Sequence, residues 1–184
     1  MAVRSLSAYE LEEAESVFRD GLDYVPIKIR ERNKLALTVA KGWSKLMRRP
    51  NPESNAMTLG NNILVSRRLR TDRSESHANR LIDMAWLIHE LTHVWQFQRY
   101  RWRYLGEAIA AQAKIGRNPY IYSRADSLAG KGDELADMWD RGKRLSDFNR
   151  EQQGDIARDF YRALKSDINT RGWEPFVEEM RLTR

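Results

Sequence analysis

Two histidines stand four residues apart, with a glutamate directly after the first, in the stretch HELTH at residues 89–93. Side chains at i and i+4 lie on one face of a helix, so His89 and His93 can direct imidazole nitrogens at one zinc ion, at about 2 Å. Glu90 borders the same site but points beside the metal, where a carboxylate can accept a proton from water that the metal activates. The spacing predicts a Zn²⁺ centre with His89 and His93 as ligands and Glu90 as the catalytic base.

The residues around this motif are apolar on nearly every side of the predicted helix. They are Trp86, Leu87, Ile88, Leu91, Val94, Trp95 and Phe97. A helix with this distribution is buried on most sides. Two histidines and a glutamate are costly to bury without partners, and a metal ion supplies one. The pattern therefore favours a metal site over an ordinary core helix that carries these residues by chance.

The third ligand must come from the remaining histidine or from a carboxylate, because the chain has no cysteine. His77 precedes His89 by about 18 Å of helix at the usual rise per residue, so we expect it to be exposed. Glu107 could reach the metal only if the helix ended soon after His93, and the sequence VWQFQRYRWRY contains no helix breaker.

A second predicted helix offers a better candidate. Its core face consists of Phe148, Ile156, Phe160 and Ala163. Glu151 and Asp155 flank that face one turn apart, and Asp159 falls within it. We predict Glu151 as the third ligand, and either Asp155 or Asp159 as acceptor for the outer ring N–H of a ligand histidine. The alternative is that these acids pair with nearby arginines such as Arg150 or Arg158.

Helices dominate the elements that must position these residues. We predict helices at 7–19, 74–104, 107–115, 128–140, 146–167 and 173–180, and short strands in YVPIKIRE and in the two halves of MTLGNNILVS. Ser7 and Glu10 form a capping-box pattern, and Gly21 closes the first helix. Pro26 favours the start or the edge of its strand. The predicted fold class is α+β, mostly helical, with about three short strands.

The composition predicts one soluble domain over residues 1–184. Charged residues make up 32% and hydrophobic residues 41%, a globular balance, and no apolar run reaches the roughly 18 residues of a membrane span. The first residues turn acidic where a secretory signal needs an apolar core, so we expect synthesis in the cytoplasm without a signal peptide. The net charge is +6, but lysines and arginines are spread along the chain, which disfavours nucleic acid as a partner.

HELTHVWQFQ followed by LSDFNREQQGDIARDFY resembles a family of bacterial zinc metallopeptidase domains. These domains occur at the C-terminus of valine-glycine repeat spike proteins of type VI secretion and as stand-alone proteins linked to Rhs-type toxins. The opening LSAYELEEAESVFRDGLDYVPIKI and the stretch MTLGNNILVS also look like the family's start. The resemblance therefore covers most of the chain.

This resemblance implies a single zincin-like domain with an active-site helix, a glutamate-bearing helix and a small sheet whose edge strand lies over the cleft. It implies His89, His93 and Glu151 as zinc ligands and Glu90 as base. It also implies an antibacterial effector or toxin delivered to the periplasm of a target cell, with a secretion spike protein and an immunity protein as candidate partners. The chain carries no spike domain, so we expect delivery to require a partner.

The family's cleft strand corresponds to NNILVS, and an edge strand can hold an extended peptide by backbone pairing, so a peptide or protein substrate is expected. Tyr120 or Tyr122 could supply an oxyanion donor, the alternative being an aromatic core role. The segment 123–144 is longer than the corresponding segment of the family. Two interpretations stay open for it: a mobile lid or a plain surface insertion. Two other functions stay open: a catalytically weak metal-binding adaptor of a secretion system, and a basic nucleic-acid-associated zinc protein.

Overall fold

A computed structural model describes residues 2–35, 38, 55–101 and 121–182 of the chain. The strands are β1 (Ala2–Arg4), β2 (Lys28–Glu31), β3 (Ala56–Leu59) and β4 (Asn62–Val65). The helices are α1 (Ala8–Phe18), α2 (His77–Tyr100), α3 (Leu128–Asp140), α4 (Arg150–Lys165) and α5 (Glu174–Arg181). The predicted α+β class with mostly helical content is confirmed. The predicted helix at 107–115, with Glu107, and Tyr120 lie outside the described residues.

Local capping decides where the helices begin. The predicted capping box of α1 is present, since Ser7 Oγ accepts from the backbone N–H of Glu10 and Glu10 Oε2 accepts from the backbone N–H of Ser7. α4 begins at Arg150 rather than at 146, because Asn149 caps it through the backbone N–H of Gln152. The residues Leu145–Asp147 form a separate 3-10 turn.

The sheet has the order β1-β2-β4-β3. β2 pairs antiparallel with β1 and parallel with β4, while β3 and β4 form an antiparallel hairpin that turns at Gly60 and Asn61. β1 is one strand more than expected. Pro26 stands just before β2, as a strand start predicts, but β2 is an interior strand and not an edge.

The prediction that NNILVS forms the edge strand is wrong. β4 lies between β2 and β3, and among the described strands β3 is the edge on that side. The reason is visible in its side chains, because Ile63, Leu64 and Val65 are all buried in succession. Such a continuous apolar run is typical of a strand that has neighbours on both sides.

The core lies where α2 and α4 pack against each other and against the sheet. Every residue from 83 to 96 on α2 is buried except the half-buried Trp86, which confirms the prediction of a helix buried on most sides. The predicted core face of α4 is also buried, with no member more than 4% exposed. Within the part of the chain that is described, none of the helices has the length and hydropathy to cross a membrane.

Residues 128–140 form α3, as predicted, and α3 packs against the core. Leu135 is fully buried. A Cβ atom at Gly132 would lie only 2.5 Å from the ring of the fully buried Trp173, so this glycine admits the indole. A plain surface insertion therefore does not describe this part of the 123–144 segment, whereas a mobile lid stays a prediction.

The first half of α2 is tied to the loop after β4 by a buried carboxylate. Asp83 is fully buried and accepts hydrogen bonds from the guanidinium groups of Arg67 and Arg70 and from the backbone N–H of Arg70. Burial on its own raises the pKa of Asp83, but these hydrogen bonds outweigh it and hold the pKa below the usual 3.8. Asp83 is therefore ionised in the folded protein at lower pH than in the unfolded chain.

This difference predicts a pH-dependent contribution to stability. Because the pKa of Asp83 is lower in the folded state, its stabilisation is present above about pH 4 and is lost as the pH falls through the folded-state pKa. We expect Asp83→Asn to lower the free energy of unfolding by about 2 kcal/mol at pH 7, less than for a fully buried pair because both guanidinium groups are partly exposed. Urea unfolding should show this gap shrinking towards pH 3. The exposed Glu12, exchanged for glutamine, is the control, and a gap that does not change with pH would contradict the prediction.

Candidate metal centre

Three side-chain atoms converge between α2 and α4. His89 Nε2 lies 3.2 Å from His93 Nε2 and 3.3 Å from Glu151 Oε2, and His93 Nε2 lies 3.6 Å from the same oxygen. Tetrahedral zinc with bonds of about 2.0–2.1 Å places its ligand atoms about 3.3 Å apart, so the triangle has the size of a metal site. Within the described ranges this is the one group of three such residues that could hold a metal ion. His77 is exposed at the start of α2, as predicted.

The crossing of the two helices brings these atoms together. α2 presents both histidines on one face, and α4 places Glu151 in its first turn, directly after the Asn149 cap. Gly154 lies directly against His89, since a Cβ atom at this position would stand 2.8 Å from Cε1 and Nδ1 of the ring. Gly154 is not among the predicted site residues. The sequence could have indicated this residue, because a glycine inside a helical pattern often marks a position of close packing.

Asp155 holds the outer nitrogen of His89. Its Oδ1 lies 2.8 Å from His89 Nδ1, and the same oxygen lies 2.6 Å from Nη1 of Arg158. An ionised carboxylate accepts and does not donate, so this contact favours the neutral tautomer with the proton on Nδ1 and the lone pair on Nε2. Asp155 therefore contacts both the His89 ring and Arg158, and its role as outer acceptor stays a prediction.

The electrostatics of the cluster favour positive charge at its centre. Burial lowers the pKa of His89, but the hydrogen bonds with Asp155 and Glu151 outweigh it and raise the pKa to about 10. The pKa of His93 is likewise raised, since the hydrogen bond with Glu151 outweighs burial. Burial raises the pKa of Glu151, yet both histidines together hold it well below its usual range. A site that stabilises an extra proton in this way also suits a metal cation, which competes for the same lone pairs.

Asp159, the other predicted outer acceptor, has different contacts. It accepts hydrogen bonds from Lys131 Nζ and from the Tyr122 hydroxyl, both at 3.0 Å, and pairs with Arg158. The Tyr122 hydroxyl also accepts from Trp173 Nε1 and is buried. The Tyr122 hydroxyl is thus used in hydrogen bonds within the core. These bonds argue against its predicted role as an oxyanion donor, which stays a prediction.

The predicted base, Glu90, is held by the sheet. Its Oε2 accepts a hydrogen bond of 2.7 Å from the hydroxyl of Thr58 on the edge strand β3. Both residues are buried. Thr58 is not among the predicted site residues, and nothing in the sequence could have identified it, because the contact depends on β3 lying against α2.

Gln96 contacts the second histidine of the cluster, with Oε1 at 2.9 Å from His93 Nδ1. It also is not among the predicted site residues, although its position three residues after His93 on the same helix is a usable signal. A cavity of about 520 Å³ borders the site on the side of Asp155, with walls from residues 121–126 and Lys131. Asp155 therefore contacts both this cavity and His89.

The close packing at Gly154 predicts an unusual substitution effect. Glycine to alanine inside a helix normally stabilises by about 1 kcal/mol. Gly154→Ala should instead lower the free energy of unfolding by about 1–2 kcal/mol, because the new methyl group collides with the His89 ring. Urea unfolding of the metal-free protein measures this. In a His89→Ala background the collision is gone, so Gly154→Ala should recover its normal stabilising effect; a loss of the same size in both backgrounds would contradict the packing account.

Comparison with known proteins gives one relative. The chain is similar to the type VI secretion system spike protein VgrG2b of Pseudomonas aeruginosa strain PAO1, with 30% identity over 165 residues. The similarity covers 87% of this chain but only 13% of the spike protein, so the chain spans a small part of its relative's length. No family model matches the chain, and no solved structure matches it significantly. The protein with the His89–His93–Glu151 centre is therefore similar to one segment of a type VI secretion spike protein.

Proposed function

We propose that this protein is a zinc-dependent metallopeptidase that serves as an antibacterial effector of type VI secretion. The observation that carries the proposal is the convergence of His89 Nε2, His93 Nε2 and Glu151 Oε2, within 4.8 Å of one another, beside the buried carboxylate of Glu90. Two imidazoles and one carboxylate form a ligand set that zinc peptidases use, and three protein ligands leave a coordination position for catalysis.

Each residue has a distinct task in this mechanism. When bound, zinc supplies Lewis-acid chemistry, which acidifies water and polarises a peptide carbonyl. His89 and His93 present the lone pairs of their Nε2 atoms, and Glu151 adds one negative charge. Glu90 accepts the proton of the attacking water and passes it to the leaving amine. Thr58 holds Oε2 of Glu90 and so orients that carboxylate.

The position of β3 supports a peptide substrate. β3 is the edge strand among the described residues, and through Thr58 it contacts the residue proposed as base. The unpaired side of an edge strand can bind an extended chain by backbone hydrogen bonds. A segment of protein or of cell-wall peptide laid along β3 would pass beside the centre.

The similarity to a spike protein supports the delivery part of the proposal. It associates this chain with type VI secretion. The proposal adds a spike protein as carrier, the periplasm of a competitor as destination and an immunity protein as a further partner. The alternative is an adaptor module of the secretion system that keeps the metal site but has little catalytic power. The same similarity fits this alternative. Removal of the base, Glu90, distinguishes the two proposals, because only a peptidase would lose its activity.

Removal of the base is the decisive test. Glu90→Gln keeps the size of the side chain but cannot accept the proton, so we expect hydrolysis to fall by about a thousandfold or more while zinc content is unchanged. The protein is expressed in bacteria with and without a periplasmic signal, and growth and zinc content are measured. We expect toxicity for the wild type in the periplasm and none for Glu90→Gln, with Glu12→Gln as the control. Equal toxicity of wild type and Glu90→Gln would refute the catalytic proposal, and unchanged zinc content in Glu151→Ala would refute the ligand set.

Thr58 provides a finer test of the mechanism. Thr58→Val removes the hydroxyl with little change of shape, and we expect kcat on unstructured peptides to fall roughly tenfold, with little change in KM, because a hydrogen bond to a charged group contributes about 1.5–3 kcal/mol. Thr58→Ser should keep most of the activity. The matched control is Thr92→Val, a buried threonine whose hydroxyl donates to the Ile88 carbonyl of its own helix. Equal loss of activity in Thr58→Val and Thr92→Val would speak against an orienting role.

A further inference from the structure

Gln96 is fully buried and uses both ends of its amide. Its Oε1 lies 2.9 Å from His93 Nδ1. Its Nε2 donates to the backbone carbonyl of Arg150 at 3.0 Å and to Gln153 Oε1 at 2.9 Å. The side chain thus spans from a ligand histidine on α2 to the first two turns of α4.

The direction of this amide follows from its partners. A backbone carbonyl can only accept, so the nitrogen of Gln96 must face Arg150 and the oxygen must face His93. That oxygen also can only accept, so Nδ1 of His93 carries the proton. The lone pair of the neutral ring is then on Nε2, which faces His89 Nε2 and Glu151 Oε2.

Gln153 is fixed by the same logic. Its Nε2 donates to the carbonyls of Leu145 and Phe148, both at 3.0 Å, so its Oε1 must turn towards Gln96. The two amides are therefore oriented by three backbone carbonyls, at Leu145, Phe148 and Arg150. These carbonyls belong to the segment that leads into α4 and places Glu151.

We infer that Gln96 and Gln153 form a relay of positioning residues that sets the tautomer of His93 and couples it to the backbone segment that delivers the third ligand. The inference rests on the metal centre of the proposed function. The two histidines differ in their outer partners, since His89 contacts the carboxylate of Asp155 and His93 contacts a neutral amide. A carboxylate partner makes an imidazole a stronger electron donor to a metal. The neutral amide of Gln96 can fix the proton position and the orientation of the His93 ring, but it adds no negative charge.

The chain supplies a matched pair of variants for the test. Gln98 lies on the same helix and also makes three side-chain hydrogen bonds, to Asn61 and to the backbone N–H and carbonyl of Asp23, away from the centre. We expect Gln96→Leu to weaken zinc binding by about 10–100-fold, measured by competition with a chromophoric chelator, and to alter the visible spectrum of the cobalt-loaded protein. Gln98→Leu should change neither. Equal zinc affinities of Gln96→Leu and Gln98→Leu would overturn the relay.

Two further variants separate the acceptor from mere packing. Gln96→Glu keeps an oxygen for the His93 N–H but loses both donated bonds, so zinc affinity should stay well above that of Gln96→Leu even though the protein unfolds more easily. Equal weakening in both variants assigns Gln96 a packing role and overturns the inference. If Gln96→Leu does not fold, Gln153→Leu decides, because it removes the anchor and leaves the His93 contact; an affinity equal to wild type contradicts the relay.

Failure of the relay and failure of the proposed function give different results. Undiminished zinc binding by His93→Ala would refute the metal centre and the relay together. Loss of zinc in His93→Ala with normal binding in Gln96→Leu overturns the relay alone. Weakened zinc binding in Gln96→Leu supports the relay even if the wild-type protein hydrolyses no peptide, since peptide hydrolysis is not its readout.

Discussion

The contact between Gly154 and the imidazole of His89 is the constraint on which the centre depends. It lets α4 approach α2 closely enough for a carboxylate on one helix to meet two imidazoles on the other. A side chain at 154 would collide with this ring, and Glu151 and Asp155, one turn from each other on α4, both contact the same ring. The contacts of Glu151 and Asp155 with His89 therefore both depend on the absence of a side chain at residue 154.

The rest of the structure solves the problem of burying polar groups inside an apolar helix. Asp155 pairs with Arg158, and Gln96 donates to the backbone carbonyl of Arg150 and to Gln153, so the polar neighbour of each histidine has a further contact of its own. Glu90, the next residue of the motif, accepts a hydrogen bond from Thr58 on β3. These contacts of His89, His93 and Glu90 with polar neighbours lower the cost of burying them.

The parts of the site that sequence could predict are those set by local periodicity. His89 and His93 follow from the i, i+4 spacing, and Glu151 follows from its place on the helical wheel of α4. The choice between Asp155 and Asp159 depends on how the helices cross, which no local pattern encodes. Thr58 and Gln153 meet the site through contacts far apart in sequence. For the same reason the prediction of NNILVS as an edge strand was wrong, because its parallel pairing with β2 joins residues far apart in sequence.

The turn between β3 and β4 has a consequence for the fidelity of folding. Gly60 has a φ of +61° and lies against the ring of Phe97 on α2, which ties the hairpin to the same helix that carries the histidines. Side chains alternate along a strand, so a slip of one residue in this hairpin would turn Thr58 away and offer Glu90 the apolar Met57 or Leu59 instead. A chain with a misaligned hairpin would keep the proposed metal ligands and lose the hydroxyl beside the proposed base, Glu90. The correct hairpin register is therefore required for the proposed activity. A measurement of bound metal alone would not detect a misaligned hairpin.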